Sequence, residues 1–385
     1  MFEKALTGSR RYWAWLTLLA IIFAVGLGFY IRQLTYGLGI TGMGRDVSWG
    51  LYIANLTFFV GVAASAVMLV LPYYLHNYKA FGPITSLGEF LAVAAVIVAG
   101  TSVTVDLGQP ARIFNLVLHP TPNSPLFWDV VVLSVYMLLN LVIGWTVLDA
   151  ERKGEPPPGW VKPLIILSIP WAVSIHTVTA FIYSGLAARP MWLTALLAPR
   201  FLASAFASGP ALLIILALII KRVTRFDPGK QALQMLAKIV TYALIITLFF
   251  LVVEIFTVFY SQIPEEKAHY QYLLFGLNGA SNLVPWMWSA IVLALGAMVL
   301  LLNGATRRRE GFLAIACAAV FVSMWIDKGL GLIIPGFIPS QTGAVFQYTP
   351  TVPEILIALG VCALGALVLT VLYKITTSVH EEMLE

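Results

Sequence analysis

The sequence predicts an all-α integral membrane protein with ten transmembrane helices, and three observations carry that prediction. Its 385 residues are 60% apolar with a mean hydropathy of +0.89, more than a soluble core of that length can hide. Its 23 Lys and Arg and 18 Asp and Glu fall mostly in nine short gaps between ten apolar runs, each about long enough to cross a bilayer. The runs lack period-two alternation, which excludes a closed barrel, so only helices satisfy the backbone within hydrocarbon.

The first helix is expected over residues 12–32, where Arg10 and Arg11 precede an apolar stretch too long for the core of a signal peptide and no small-residue cleavage site follows. The second, 48–74, starts at Trp49-Gly50-Leu51-Tyr52. The third, 85–106, is closed by Asp106-Leu107-Gly108-Gln109-Pro110-Ala111-Arg112. There Gly108 allows a turn, Pro110 prevents helical continuation, and Arg112 is spaced to pair back with Asp106. A plain helix stop with an ion pair accounts for that run as well as a binding motif does. The fourth and fifth helices are expected over 127–149 and 161–185. The next four follow over 201–221, 236–260, 285–303 and 311–330. The tenth, 354–375, begins after Pro353, at a position where proline is tolerated.

Counting Lys and Arg in alternate gaps gives sixteen on the side of the N-terminus and seven on the other, the latter including Arg200 and Lys328. The positive-inside rule then expects both termini in the cytoplasm and the chain in the cytoplasmic membrane. The pI near 9.1 follows from topology and calls for no nucleic acid partner. Segments 107–126, 261–284 and 331–353, on the outer side, are longer and rich in Pro, Gly, Asn and aromatics. They suit docking of a protein partner, although covering helix ends is the plainer reading.

Cys317 and Cys362 both fall within late helices, so no cysteine cluster is expected and no iron–sulfur centre of the chain's own. Of the five histidines only His176 lies well inside a run, and a single imidazole does not ligate an intramembrane haem from both sides. No resident metal is expected.

The polar residues left inside the spans form the main candidate site. Asn55, Glu254 and His176 lie roughly two to three turns below the outer ends of the second, seventh and fifth helices. Ser102, Thr104 and Asp129 sit near the same level. Charged groups cost about 2.5–3.5 kcal/mol at the centre of a bilayer and must face protein, water or a ligand. Glu254 suits a proton acceptor or relay and His176 a functional imidazole, the alternatives being a bonded interhelical carboxyl and a satisfied interhelical donor. Asn55 reads first as an interhelical bond.

The run Asp106 to Arg112, preceded by Trp49-Gly50-Leu51-Tyr52 and followed by Ser124-Pro125-Leu126-Phe127-Trp128, resembles the membrane-anchor family of polysulfide reductase and formate-dependent nitrite reductase. The resemblance spans approximately residues 40–330, and the ten-helix length with the Val173–Trp192 stretch is most similar to the family's longer branch, which includes a subunit linked to dissimilatory sulfite reduction. Gln109 departs from the family's usual basic residue there. The resemblance implies two four-helix bundles, helices two to five and six to nine, with the first and tenth outside. It implies a haem-free subunit that binds menaquinone or another quinone near the outer face. It further implies a docked ferredoxin-like iron–sulfur subunit, with other membrane and cytochrome subunits beside it.

Quinol oxidation releases two protons and two electrons, so a site needs partners for two ring oxygens, an apolar slot and a proton exit. Asn55, His176 and Glu254 supply partners and exit in this reading, Trp49 and Tyr52 wall the slot, and Asp106, Arg112 and Asp129 are further contacts. Proton passage to the inner side would need Glu89, Asn140 and Thr247. Two rival readings are a secondary transporter, against which stand the off-centre polar layer and the lack of an obvious pair of interrupted helices in corresponding positions, and a passive membrane anchor.

Overall fold

The computed structural model describes residues 1–383, and ten of its helices are long and apolar enough to cross a membrane. They are α1 (Arg10–Tyr36), α2 (Leu51–Leu75), α3 (Lys79–Asp106), α4 (Pro125–Lys153) and α5 (Val161–Ser184). The second half adds α6 (Leu197–Val223), α7 (Lys230–Ser261), α8 (Val284–Leu302), α9 (Glu310–Phe337) and α10 (Val352–Glu382). Among the described residues there is no β-strand, only an isolated bridge between Leu277 and Ala280. The chain is a multi-pass integral membrane protein.

Local chemistry sets the helix ends. Ser9 caps α1 by accepting from the Tyr12 amide, and Thr351 caps α10 by accepting from the Glu354 amide. Pro125 opens α4, where its missing N–H costs nothing, and Gly154 at φ 68° closes it in the left-handed region.

The packing is sequential. α2 packs on α3, α3 on α4 and α4 on α5, while α6 packs on α7, α7 on α8, α8 on α9, and α9 returns to α6. α2 also lies against α6 and α9, and α1 packs on α10, which leans on α3. Burial follows this order: the central window of α2 is 89% buried and that of α1 only 11%, so α2 is the axis of the molecule and α1 faces lipid.

Two helices expected to be continuous are interrupted. α2 is α-helical over Leu51–Ala63, turns through 64–66, resumes over Val67–Val70 and ends in a π-turn over Leu71–Leu75 that contains Pro72. The break is where α6 comes closest: a Cβ on Gly209 would lie 3.0 Å from the Ser65 amide nitrogen and from the Val62 carbonyl oxygen. α9 is α-helical over Glu310–Met324, forms a π-turn over Trp325–Leu330 and finishes in short turns over Gly331–Ile333 and Pro335–Phe337. Neither interruption is expected from the sequence, and α2 and α9, first in the series two to five and last in the series six to nine, are not in corresponding positions.

Two ends also differ in a way that matters for the site. α6 begins at Leu197 rather than 201, and α9 continues to Phe337 rather than stopping at 330. Arg200 and Lys328, counted from sequence as outer-face charges, are buried at 7% and 3% exposure. Neither is a loop residue.

α1 and α10 cross at Gly26 and Gly360, where a Cβ on Gly26 would come within 2.7 Å of the Gly360 Cα. Gly26→Val is expected to lower the thermal midpoint of the detergent-solubilised protein, at a cost of about 1–3 kcal/mol from overpacking. Gly28→Val, at a position with no atom within 4 Å of the added carbon, is the control and should leave the midpoint unchanged.

Candidate functional site

The π-turn of α9 gathers the polar residues that the sequence places on separate helices. A π-turn adds one residue to the helical repeat and turns successive side chains to directions an α-helix does not offer. Trp325 Nε1 donates to Asn55 Oδ1 of α2 at 2.9 Å. Asp327 Oδ1 accepts from Arg200 Nη2 of α6 at 2.7 Å, and the other arm of that guanidinium, Nη1, donates to Glu254 Oε2 of α7. Tyr270, on the short helix Pro264–Leu274, donates its hydroxyl to the same Glu254 oxygen at 3.1 Å. Lys328 Nζ donates to the Phe201 carbonyl at 3.4 Å and lies 4.4 Å from the centre of the Phe201 ring. Its charge acts on His176 of α5.

Arg200 is the centre of this network because its planar fork reaches two carboxylates at once, which an ammonium cannot reproduce. All three members are nearly withdrawn from solvent. His176 is different. It is fully buried, and both ring nitrogens lack a hydrogen-bond partner. A buried imidazole without partners is costly as a structural element and points to a group that meets something else.

An aromatic box stands about two helical turns further along α5, where Tyr183 joins it. Trp49 packs on Tyr183, Trp192 and Phe337 with ring centres 5.8, 5.8 and 5.6 Å apart. Tyr183 is bonded to Thr57 through its hydroxyl, and Trp192 Nε1 donates to the Leu332 carbonyl at 2.9 Å. Arg189 stacks over Phe337 at 4.3 Å. Next to the box, Phe181, Ser184, Leu193, Thr194, Leu197 and Ala198 line a cavity of about 270 Å³ between α5 and α6.

The other expected site residues divide. Asp129 is buried and accepts from Thr179 Oγ1 of α5 at 2.6 Å, so it clamps α4 to α5 near Tyr183. Tyr52 faces away from His176: its hydroxyl donates to Gln33 of α1 at 2.8 Å, and Gln33 in turn donates to the Val105 carbonyl at 2.6 Å. Asp106 belongs to that second cluster, with Oδ1 buried and unpartnered. Arg112 is exposed and makes no ion pair with Asp106 among the described residues, because the turn Pro110–Phe114 carries it outward. The expected Asp106–Arg112 pairing is thus corrected. Ser102 is buried, while Thr104 bonds only to the Gly100 carbonyl of its own helix.

Sequence reasoning missed Arg200, Asp327, Lys328, Tyr270 and Glu354. The signal for the α9 pair was present, since apolar residues continue past Lys328 through Ile338. Glu354 carries the start of α2: its oxygens accept from the Gly42 and Leu51 amides at 2.9 and 3.2 Å, and Tyr348 bonds to it as well.

Comparison with known proteins shows the family to which the chain belongs. The sequence profile described as polysulphide reductase, NrfD, matches residues 39–339. The chain belongs to the polysulphide reductase NrfD family. Within it, the chain is 30% identical, over 92% of its length and 88% of the relative, to a protein of Halobacterium salinarum assigned as a membrane subunit of dimethyl sulfoxide reductase. It is 25% identical to a selenate reductase subunit of Mesobacillus selenatarsenatis, covering 90% of this chain and 89% of the relative. It is 24% identical to the Hdr-like menaquinol oxidoreductase integral membrane subunit of Archaeoglobus fulgidus, covering 100% of this chain and 98% of the relative.

Two outcomes follow for this NrfD-family site. Arg200→Met leaves two buried carboxylates without a cation and should destabilise the protein by about 3–5 kcal/mol. Adding Glu254→Gln and Asp327→Asn should restore most of the thermal midpoint, and scanning calorimetry in detergent reads both. His269, buried on Pro264–Leu274, donates from Nδ1 to the Pro335 and Ile338 carbonyls at 2.7 and 2.8 Å. Burial holds its ring below the usual imidazole range. The unfolded chain then takes the proton first, so the stability contributed by neutral His269 is complete above about pH 6.5 and is lost as pH falls through the lowered folded value. His269→Asn, which keeps a donor, should flatten the decline in thermal midpoint between about pH 7 and pH 5.

Proposed function

We propose that this chain is the quinone-interacting membrane subunit of a respiratory oxidoreductase complex in the cytoplasmic membrane. It oxidises menaquinol near the face opposite its termini and passes electrons to a docked ferredoxin-like iron–sulfur subunit, in the metabolism of sulfur compounds such as sulfite. The observation that carries the reading is His176, a fully buried imidazole with two unpartnered nitrogens, about two helical turns along α5 from the Tyr183 of an aromatic box. A quinol supplies two hydrogen-bonding ring oxygens, two protons and two electrons, which suits such a donor set. The menaquinol named for the Archaeoglobus relative, aligned over 100% of this chain, supports the choice of ligand.

In this reading His176 accepts a proton at a ring nitrogen, and Trp325 fixes the Asn55 amide of α2 as a second partner for the quinol. The box of Trp49, Tyr183, Trp192 and Phe337 excludes water, and the cavity between α5 and α6 admits an apolar tail. Glu254 is the relay for the proton's exit, because Tyr270 connects its carboxylate to the connecting segment at the outer face. Arg200 and Asp327 hold Glu254 in place and are positioning residues. Asp129 positions α5 through Thr179. The exposed apolar side chains Phe114, Val117 and Leu118, in the connection after α3, offer a contact for the electron-accepting subunit.

The interrupted helices α2 and α9 are the feature that favours a secondary transporter instead. Ligand analysis separates the two. Quinone is expected to copurify with the protein, and His176→Ala should lower its affinity about tenfold, the equivalent of roughly 1.4 kcal/mol. Absence of bound quinone together with solute counterflow in quinone-free proteoliposomes would falsify the redox reading.

A further inference from the structure

The half of the bundle on the side of the chain termini holds a second set of buried polar groups, remote from His176 and Arg200. Glu89 of α3 is fully buried, and both carboxyl oxygens lack a hydrogen-bond partner. It sits ten residues into α3, about 15 Å from that face. An ionised carboxylate without a partner costs several kcal/mol at such depth, so Glu89 makes a poor interhelical tie. Carrying a proton, it is a storage group.

Three observations connect it to the face. Ser86, one turn nearer the start of α3, is buried with an unpartnered hydroxyl, and so is the hydroxyl of Tyr74 in the π-turn that ends α2. The charges of Glu89 and Glu151 both act on Tyr74, and that of Glu151 acts on Glu89. Glu151, near the end of α4, is 27% exposed and stands 3.3 Å from Nε2 of His380 on α10. A partly exposed acid–imidazole pair, two unpartnered hydroxyls and a buried carboxyl are therefore gathered on the packed helices α2, α3, α4 and α10.

Space is kept for the carboxyl. Gly144 of α4 faces Glu89, and a Cβ there would lie 3.0 Å from Oε2 and 3.1 Å from the Phe90 ring. On the far side, the charge of Glu89 acts on Tyr136, whose hydroxyl donates to the Ala63 carbonyl at 3.2 Å, where α2 is interrupted. The sequence-derived candidates are revised accordingly. Asn140 bonds to the Tyr136 carbonyl of its own helix, and Thr247 lies between α7, α8 and α9, outside this group.

We propose that Glu89 is the buried terminus of a proton-conducting half-channel that opens beside Glu151 and His380 and passes Tyr74 and Ser86. A proton enters on the Glu151–His380 pair, each hydroxyl gives one proton forward as it takes one from behind, and the proton comes to rest on a Glu89 oxygen. No other atom changes its bonding. The half-channel shares no residue with the proposed quinone site, so the two readings are tested apart.

The test uses the purified full chain in liposomes and infrared spectroscopy of carboxylic acid C=O stretches after transfer to D2O. A band that Glu89→Gln abolishes should shift within the mixing time, and the shift should slow at least about tenfold in Tyr74→Phe, Glu151→Gln and Gly144→Ala. Retained helical circular dichroism shows that each variant is folded. A Glu89 band that does not shift in the folded wild type, or that shifts equally fast in all three variants, overturns the proposal. Menaquinone binding to the same liposomes is assayed in parallel; its absence in the wild type alongside a normal band shift would count against the quinone reading alone.

Discussion

One guanidinium holds the two faces of this site together. Arg200 reaches Glu254 on α7 and Asp327 on α9 from its own position on α6, so three spanning helices meet at a single planar group. Burying three charges in hydrocarbon is unfavourable unless each is matched and hydrogen-bonded, and the Tyr270 hydroxyl completes the set from outside the spans. The network fixes where the π-turn of α9 sits, and the π-turn in turn places Trp325 against Asn55 and Lys328 against Phe201. His176 of α5 takes no part in these bonds and keeps both ring nitrogens unpartnered.

Polar groups are distributed unevenly across the bilayer, and the distribution separates tasks. Near the face opposite the termini, the groups are mostly paired and rigid, with an aromatic box to keep water out. On the side of the termini, Glu89, Ser86 and Tyr74 are buried without hydrogen-bond partners. Between the two lies the break in α2, pressed against Gly209 of α6. α2 is the most buried of the spans, so an interruption there is shielded from lipid, the one setting in which irregular backbone is tolerated at membrane depth.

The ten helices were legible in the sequence because lipid imposes a strong, local rule: about twenty apolar residues in a row. The level of Asn55, His176 and Glu254 was legible for the same reason, since a polar residue in such a run stands out. What was not legible is what each of them meets. Tyr52 follows Trp49 by three residues, yet the first bonds to Gln33 on α1 while the second joins the box, and only tertiary packing decides this. Arg200 and Lys328 were misread because a charge at the edge of an apolar run looks like the edge itself. Counting charges assigns them to solvent, whereas ion pairing and the reach of a π-turn draw them inside. Glu354 was hidden similarly, as an ordinary acid in the first turn after Pro353, although its partners are the Gly42 and Leu51 amides.

The π-turn also constrains how this protein can vary by insertion or deletion. Losing any one residue between Trp325 and Leu330 would return the stretch to plain α-helix, re-aim the side chains within it and leave the chain beyond in its present direction. Leu332, whose carbonyl receives the Trp192 indole, and Phe337, which closes the box on Trp49, would both stay near their places, while Asp327 and Lys328 would leave theirs. Substitutions in that stretch alter one contact each, whereas a change in its length dismantles the charge network and spares the box.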